Sequence, residues 1–203
     1  MIIHDLKIFT SVAVHFRVFF ENKQVNHLKE HQRSKWIARV FQNPFAGTAS
    51  DLTIIDNFRL TALRTKSKAL TRGINKKFID EVKEKISLLG LGLENKTEQL
   101  MGTLSGGQRQ ALTLIMAIMD EAKILLMDEP TAALDPKTSE LLMHHANKII
   151  QQYTLTAILV THQIKDAHVY GTRIVQMQEG YIKRDLNITQ KQLLSLSEIY
   201  SWF

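Results

Sequence analysis

Residues 123–129 read Lys-Ile-Leu-Leu-Met-Asp-Glu, and Pro130 follows. A short apolar run that ends in two acids suits a buried parallel strand, with the carboxylates delivered to its C-terminal end. Residues 157–161 (AILVT) repeat the pattern and are followed by His162. Upstream, residues 35–41 (KWIARVF) read as a further strand that ends at Gln42, with a polar, glycine-containing loop at 43–51 behind it. Helices separate these runs. Phe78, Val82, Ile86 and Leu89 share one face at helical spacing, charged residues surround them, and Gly90 lies where a C-terminal cap belongs. A second helix opens at Ser105, and its body, 111–119, is apolar enough to be buried on most sides. A third begins at Pro136, which suits a first helical turn, and turns Leu142, Ala146, Ile149 and Ile150 inward. Residues 173–177 and 181–183 flank Glu179-Gly180 as a hairpin. Strands alternating with helices imply an α/β layered core around a mostly parallel sheet.

Composition bounds the function. The chain has 203 residues, 44% of them apolar and 23% charged, which excludes wholesale disorder and a fibrous repeat. With no cysteine, a disulfide scaffold, an iron–sulfur centre and a thiol nucleophile are excluded. A net charge of +6 is compatible with a nucleotide, a nucleic acid or an anionic membrane surface, and equally with a lysine-rich solvated face. Residues 8–20 (IFTSVAVHFRVFF) are apolar but carry His15 and Arg17, and fall short of the roughly 20 uninterrupted apolar residues that a membrane span needs. They read as strand-forming.

Three short patterns carry chemistry. In Leu104-Ser105-Gly106-Gly107-Gln108 the serine can cap a helix whose free N–H groups make a phosphate seat, while the glycines admit a close-lying group. The same residues also suit a plain turn before a core helix. Asp128 and Glu129 at a strand end can hold a divalent cation and orient an attacking water, or simply begin a solvated turn. His162, at the next strand end, can meet a terminal phosphate or serve structure alone.

Their order narrows the choice. Gln42, a helical stretch, LSGGQ at 104–108, ILLMDEP at 124–130, AALD at 132–135 and His162 follow one another in the chain. In that order they resemble the nucleotide-binding subunit of ATP-binding cassette (ABC) transporters: Q-loop, signature, Walker B strand, D-loop and switch histidine. The resemblance implies a P-loop NTPase-like α/β core with an inserted α-helical lobe, with ATP and Mg²⁺ as cofactors. By the same resemblance Asp128 and Gln42 sit by the metal, Glu129 polarises the attacking water and His162 reaches the γ-phosphate. Ser105, Gly106, Gly107 and Gln108 contact the nucleotide of an opposing protomer, and Asp135 lines the dimer seam. The implied partners are transmembrane permease subunits, a second ATP-binding subunit arranged head to tail and a solute-binding protein. The implied place is cytoplasmic, peripheral on the inner face of the cell membrane. Residues 27–42 and 47–53 look most like ATPases of bacterial importers, and an amino-acid-like solute is a separate expectation. A chromosome- or DNA-repair ATPase shares the cassette, but 42–104 is too short for its coiled-coil insertion, so no nucleic-acid partner is expected.

One family element is missing from these residues: no G-x-x-x-x-G-K-[ST] occurs upstream of Gln42. The expectation is an N-terminally truncated cassette. Its parts are 1–16 unassigned, 17–44 a remnant β region with the Q-loop, 45–110 the helical lobe and signature, 111–187 the catalytic half of the core, and 188–203 a C-terminal helix. The family strand that leads into the phosphate loop would lie between the strand before His162 and the strand at 173–177. Its loss predicts a gap in the sheet, partly filled by 8–14. Two functions follow as expectations: an impaired transport ATPase, or a non-catalytic pseudo-ATPase that supplies its signature in trans to an intact subunit.

Overall fold

The computed structural model describes residues 2–3, 19–34, 36–63, 74–119 and 122–202. Strand β1 (Ile2–Ile3) comes first, then a hairpin of β2 (Phe19–Phe20) and β3 (Lys23–Gln24). Glu21 and Asn22 turn that hairpin at φ 46° and 62°. Helix α1 (Glu30–Arg33) leads to β4 (Ile37–Val40). The helical lobe holds α2 (Ile54–Ala62), α3 (Lys76–Ser87) and two single 3₁₀ turns, Leu93–Asn95 and Met101–Thr103. Then follow α4 (Gly106–Ala117), β5 (Ile124–Asp128), α5 (Pro136–Gln152), β6 (Thr156–Val160), α6 (Ile164–Tyr170), β7 (Ile174–Gln178), β8 (Tyr181–Leu186), α7 (Ile188–Gln192) and α8 (Leu196–Tyr200).

The main sheet runs β4-β5-β6-β1-β7-β8. All neighbours are parallel except β7 and β8, which close as an antiparallel hairpin through Glu179 and Gly180 at φ 51° and 84°. The sheet thus has the α/β, mostly parallel form expected, and the lobe is helical.

Two expectations are corrected. The position between β6 and β7 is not a gap: β1 lies there, parallel to both, with Ile2 opposite Leu159 and Ile174, and Ile3 opposite Val175. Isoleucine is a strand former, and the backbone groups of β6 and β7 need partners at that position. Residues 8–14, expected in that place, lie outside the described residues. Likewise 188–203 does not form one helix. The chain breaks after α7, and Ser195 restarts it as α8 by accepting from Glu198 N while the Glu198 carboxylate returns to Ser195 N.

Burial explains the layers. In β5 the side chains alternate, with Leu125 and Met127 buried, and every residue of α4 from Arg109 to Ala117 is buried. Those surfaces join Leu142, Met143, Ala146 and Ile149 of α5 in one core with the lobe residues Phe58, Val82 and Ile86. The lobe therefore shares its packing with the sheet, and α4 is the element that belongs to both.

Candidate functional site

Strands β4, β5 and β6 are adjacent and parallel, so their C-terminal ends meet at one edge, where α/β sheets bind ligands. Gln42, the Asp128–Glu129 pair and His162 come from these three ends. Glu129 leaves β5 in the left-handed region, φ 42°, and its N–H donates to the Val160 carbonyl at 2.8 Å. That turn aims the side chain across the sheet edge. The Gln42 Nε2 donates to Glu129 Oε2 at 3.1 Å, and His162 Nδ1 lies 3.2 Å from the same oxygen. One half-buried carboxylate is therefore held between an amide and an imidazole, both reachable from solvent.

Asp128, the last residue of β5, meets the Arg39 guanidinium, whose Nη2 donates to its Oδ2 at 3.0 Å. Arg39 also stacks on the Phe41 ring, 4.7 Å from its centroid. Sequence reasoning passed over Arg39, although strand periodicity carries the signal: Arg39 pairs in register with Leu126, which shares a strand face with Asp128. Gln110 was also passed over. It is fully buried on α4, and its amide donates to the Phe41 carbonyl at 2.8 Å and the Pro130 carbonyl at 3.1 Å, tying the ends of β4 and β5 together.

The remaining expected residues form a second group at the starts of α4 and α5. Ser105 caps α4 by accepting from Gln108 N at 3.3 Å, and the Gln108 side chain returns to Ser105 N at 3.2 Å. Gly106 faces Leu134 and Pro44 at ordinary contact distance. At Gly107 a Cβ would lie 2.2 Å from Thr138 Cγ2, so any other residue there forces the Thr138 side chain or the two helices to shift. Asp135 caps α5 by accepting from Thr138 N at 3.1 Å, and hydrogen bonding from Thr138 holds its carboxyl below the ordinary range. Ser105, Gly107 and Asp135 are thus set by one helix–helix contact.

Among the described residues no three His, Cys, Asp or Glu side chains gather closely enough to hold a metal. Asp128 and Gln42 offer one carboxylate and one amide, and Arg39 already neutralises the carboxylate. That donor set fits a cation that arrives on phosphate oxygens, as Mg²⁺ commonly does, and does not suffice for a resident ion.

Known proteins share the family pattern and the fold. Residues 12–132 match the family described as ABC transporter. A tyrosine transport ATP-binding protein of Clostridioides difficile is 33% identical over 187 residues, spanning 92% of this chain and 74% of that protein. The phosphonates import ATP-binding protein PhnC 1 of Ruegeria is 37% identical over 134 residues, and the match covers 64% of this chain but only 51% of that protein. Among solved structures, the dimeric ATP-binding cassette MJ0796 in a post-hydrolysis state bound to ADP and Pi superposes with a TM-score of 0.69 at 27% identity, over 85% of this chain and 73% of that one. The cbiO1 chain from Clostridium perfringens, at 23% identity and a TM-score of 0.71, shares the fold.

Proposed function

The chain belongs to the ABC transporter family, and on that premise we propose that it is the ATP-binding subunit of a bacterial importer whose parts for cleaving and sensing nucleotide are present while its grip on the phosphates is weak. One observation carries the reading: Gln42 and His162 converge on a single oxygen of Glu129 at the C-terminal edge of the sheet. A base fixed from two sides is poised to take a proton from a water beside a terminal phosphate. In this reading His162 donates to that phosphate through its other ring nitrogen. Gln42 links the loop behind it to the base, so a shift of that loop alters the base. Asp128 is the carboxylate for Mg²⁺, which supplies charge neutralisation on the phosphates when it comes in with ATP. Ser105, Gly106, Gly107 and Gln108 serve the nucleotide of an opposing subunit, with Asp135 at the seam. The dimeric cassette structure at 27% identity supports that arrangement.

The 203 residues contain no G-x-x-x-x-G-K-[ST]. Charge-assisted hydrogen bonds contribute about 1.5–3 kcal/mol each. Three missing phosphate contacts therefore weaken binding by roughly three to six orders of magnitude. The second reading follows from the intact signature: a non-catalytic subunit that completes a partner's site in trans.

The other partners are a permease in the membrane, on whose inner face the subunit sits peripherally, and a solute-binding protein. No helix among the described residues is long and apolar enough to cross a membrane. The relative named for tyrosine transport supports an amino-acid-like solute. The test is to mix the purified chain with an intact ATP-binding subunit, ATP and Mg²⁺. A complex whose turnover falls on Ser105→Arg supports action in trans. Neither complex nor signature-dependent turnover would remove it.

A further inference from the structure

Arg109 is almost completely buried, yet no carboxylate among the described residues meets it. Its Nε donates to Thr48 Oγ1 at 2.6 Å, its Nη2 to Ser50 Oγ at 2.9 Å and to the Thr48 carbonyl at 3.4 Å, and the Phe45 ring covers the guanidinium at 4.6 Å. The Nη1 has no partner. The cation also lies in the first turn of α4, where the helix dipole is unfavourable to positive charge. Burial lowers its pKa from the ordinary value. An apolar side chain of the same length would fill this space without those costs. What only arginine supplies is the set of bonds, and all of them end on the loop behind Gln42.

The surroundings extend the connection. Gly102 N donates to the Ser50 carbonyl and Met101 N to the Leu52 carbonyl, each at 2.9 Å, so the loop is laced to the segment leading into Ser105. On the other side, the neighbouring Gln110 holds the Phe41 carbonyl, one residue before Gln42. Two consecutive residues of α4 thus grip the loop at both of its ends.

We propose that Arg109 is a positioning residue that makes the loop behind Gln42 and the start of α4 move as one body, so that a displacement at Phe45 reaches Ser105 and Gly107 as well as Glu129. Its functional meaning rests on the reading of those residues as nucleotide-site groups. The mechanical coupling is a property of the chain alone and is tested without nucleotide, so failure of either is separately visible.

The test is hydrogen exchange on the full chain, read by mass spectrometry. Arg109→Met is expected to raise exchange about tenfold in peptides covering both 45–53 and 99–110, the factor that corresponds to about 1.4 kcal/mol, with β5 and β6 unchanged. A rise confined to one segment, a rise spread over the whole chain, or no rise would overturn the proposal. The double variant Thr48→Val/Ser50→Ala alters only the loop and settles the matter even where Arg109→Met fails to fold. Faster exchange at 99–110, where no residue has changed, is expected from the coupling and not from local packing. Unchanged exchange there would contradict it.

Discussion

Gln42 and Glu129, 87 positions apart in the chain, are joined by one hydrogen bond of 3.1 Å between side chains. The bond exists because Glu129 turns out of its strand at φ 42°, a conformation that a β-carbon makes unfavourable by about 1–2 kcal/mol. The polar contacts that the strained residue makes are partly solvated and contribute little to folding. Glu129→Gly is therefore expected to leave the melting temperature unchanged or raise it, by up to about 1 kcal/mol of stability, while removing the proposed base. A clear loss of stability would show that the carboxylate serves the fold.

Gly107→Ala is expected to destabilise by about 1–3 kcal/mol, because its Cβ would meet Thr138 Cγ2 at 2.2 Å and either the Thr138 side chain or the helix pair must shift. Thr138→Ser removes that methyl and keeps the hydroxyl. The double variant is expected to recover most of the loss in a double-mutant cycle read by urea denaturation. Additive losses would place the strain elsewhere.

His145 on α5 has both ring nitrogens out of solvent and without a hydrogen-bond partner. Burial, then the nearby charges of His144 and Lys148, lower its pKa from the model-peptide value. A group whose folded pKa is depressed contributes stability that is present above its unfolded pKa, near 6.5, and lost as the pH falls through the folded value. The urea midpoint is therefore expected to fall as the pH drops below about 6.5. His145→Leu should flatten that fall, and an identical pH profile in the variant would assign the loss to other groups.

Much of the site was legible in the sequence because strand ends are legible. An apolar run that stops at an acid or a histidine marks both a buried strand and a candidate functional tip, and Glu129 and His162 were read that way, whereas Gln42 took its role only from the order of the motifs and their family resemblance. Ser105 and Pro136 likewise announce the starts of α4 and α5 by cap chemistry. Pairings between distant strands were not legible. Nothing local to Ile2–Ile3 says that two residues at the chain start occupy the centre of a six-stranded sheet, since that depends on the partners β6 and β7. Arg39 shares a face with Asp128 only once β4 and β5 are in register, and Arg109 reads as a surface arginine until the loop at 45–50 covers it. The break between α7 and α8 was missed because Ser195 and Glu198, a capping box, lie within a run otherwise compatible with one helix.

The most direct test of the account is an equilibrium titration of the purified 203-residue chain, alone and with Mg²⁺, against a fluorescent ATP analogue. The account predicts no saturable binding below about 1 mM, an affinity near 4 kcal/mol. Saturable, Mg²⁺-dependent binding at micromolar concentration would contradict it.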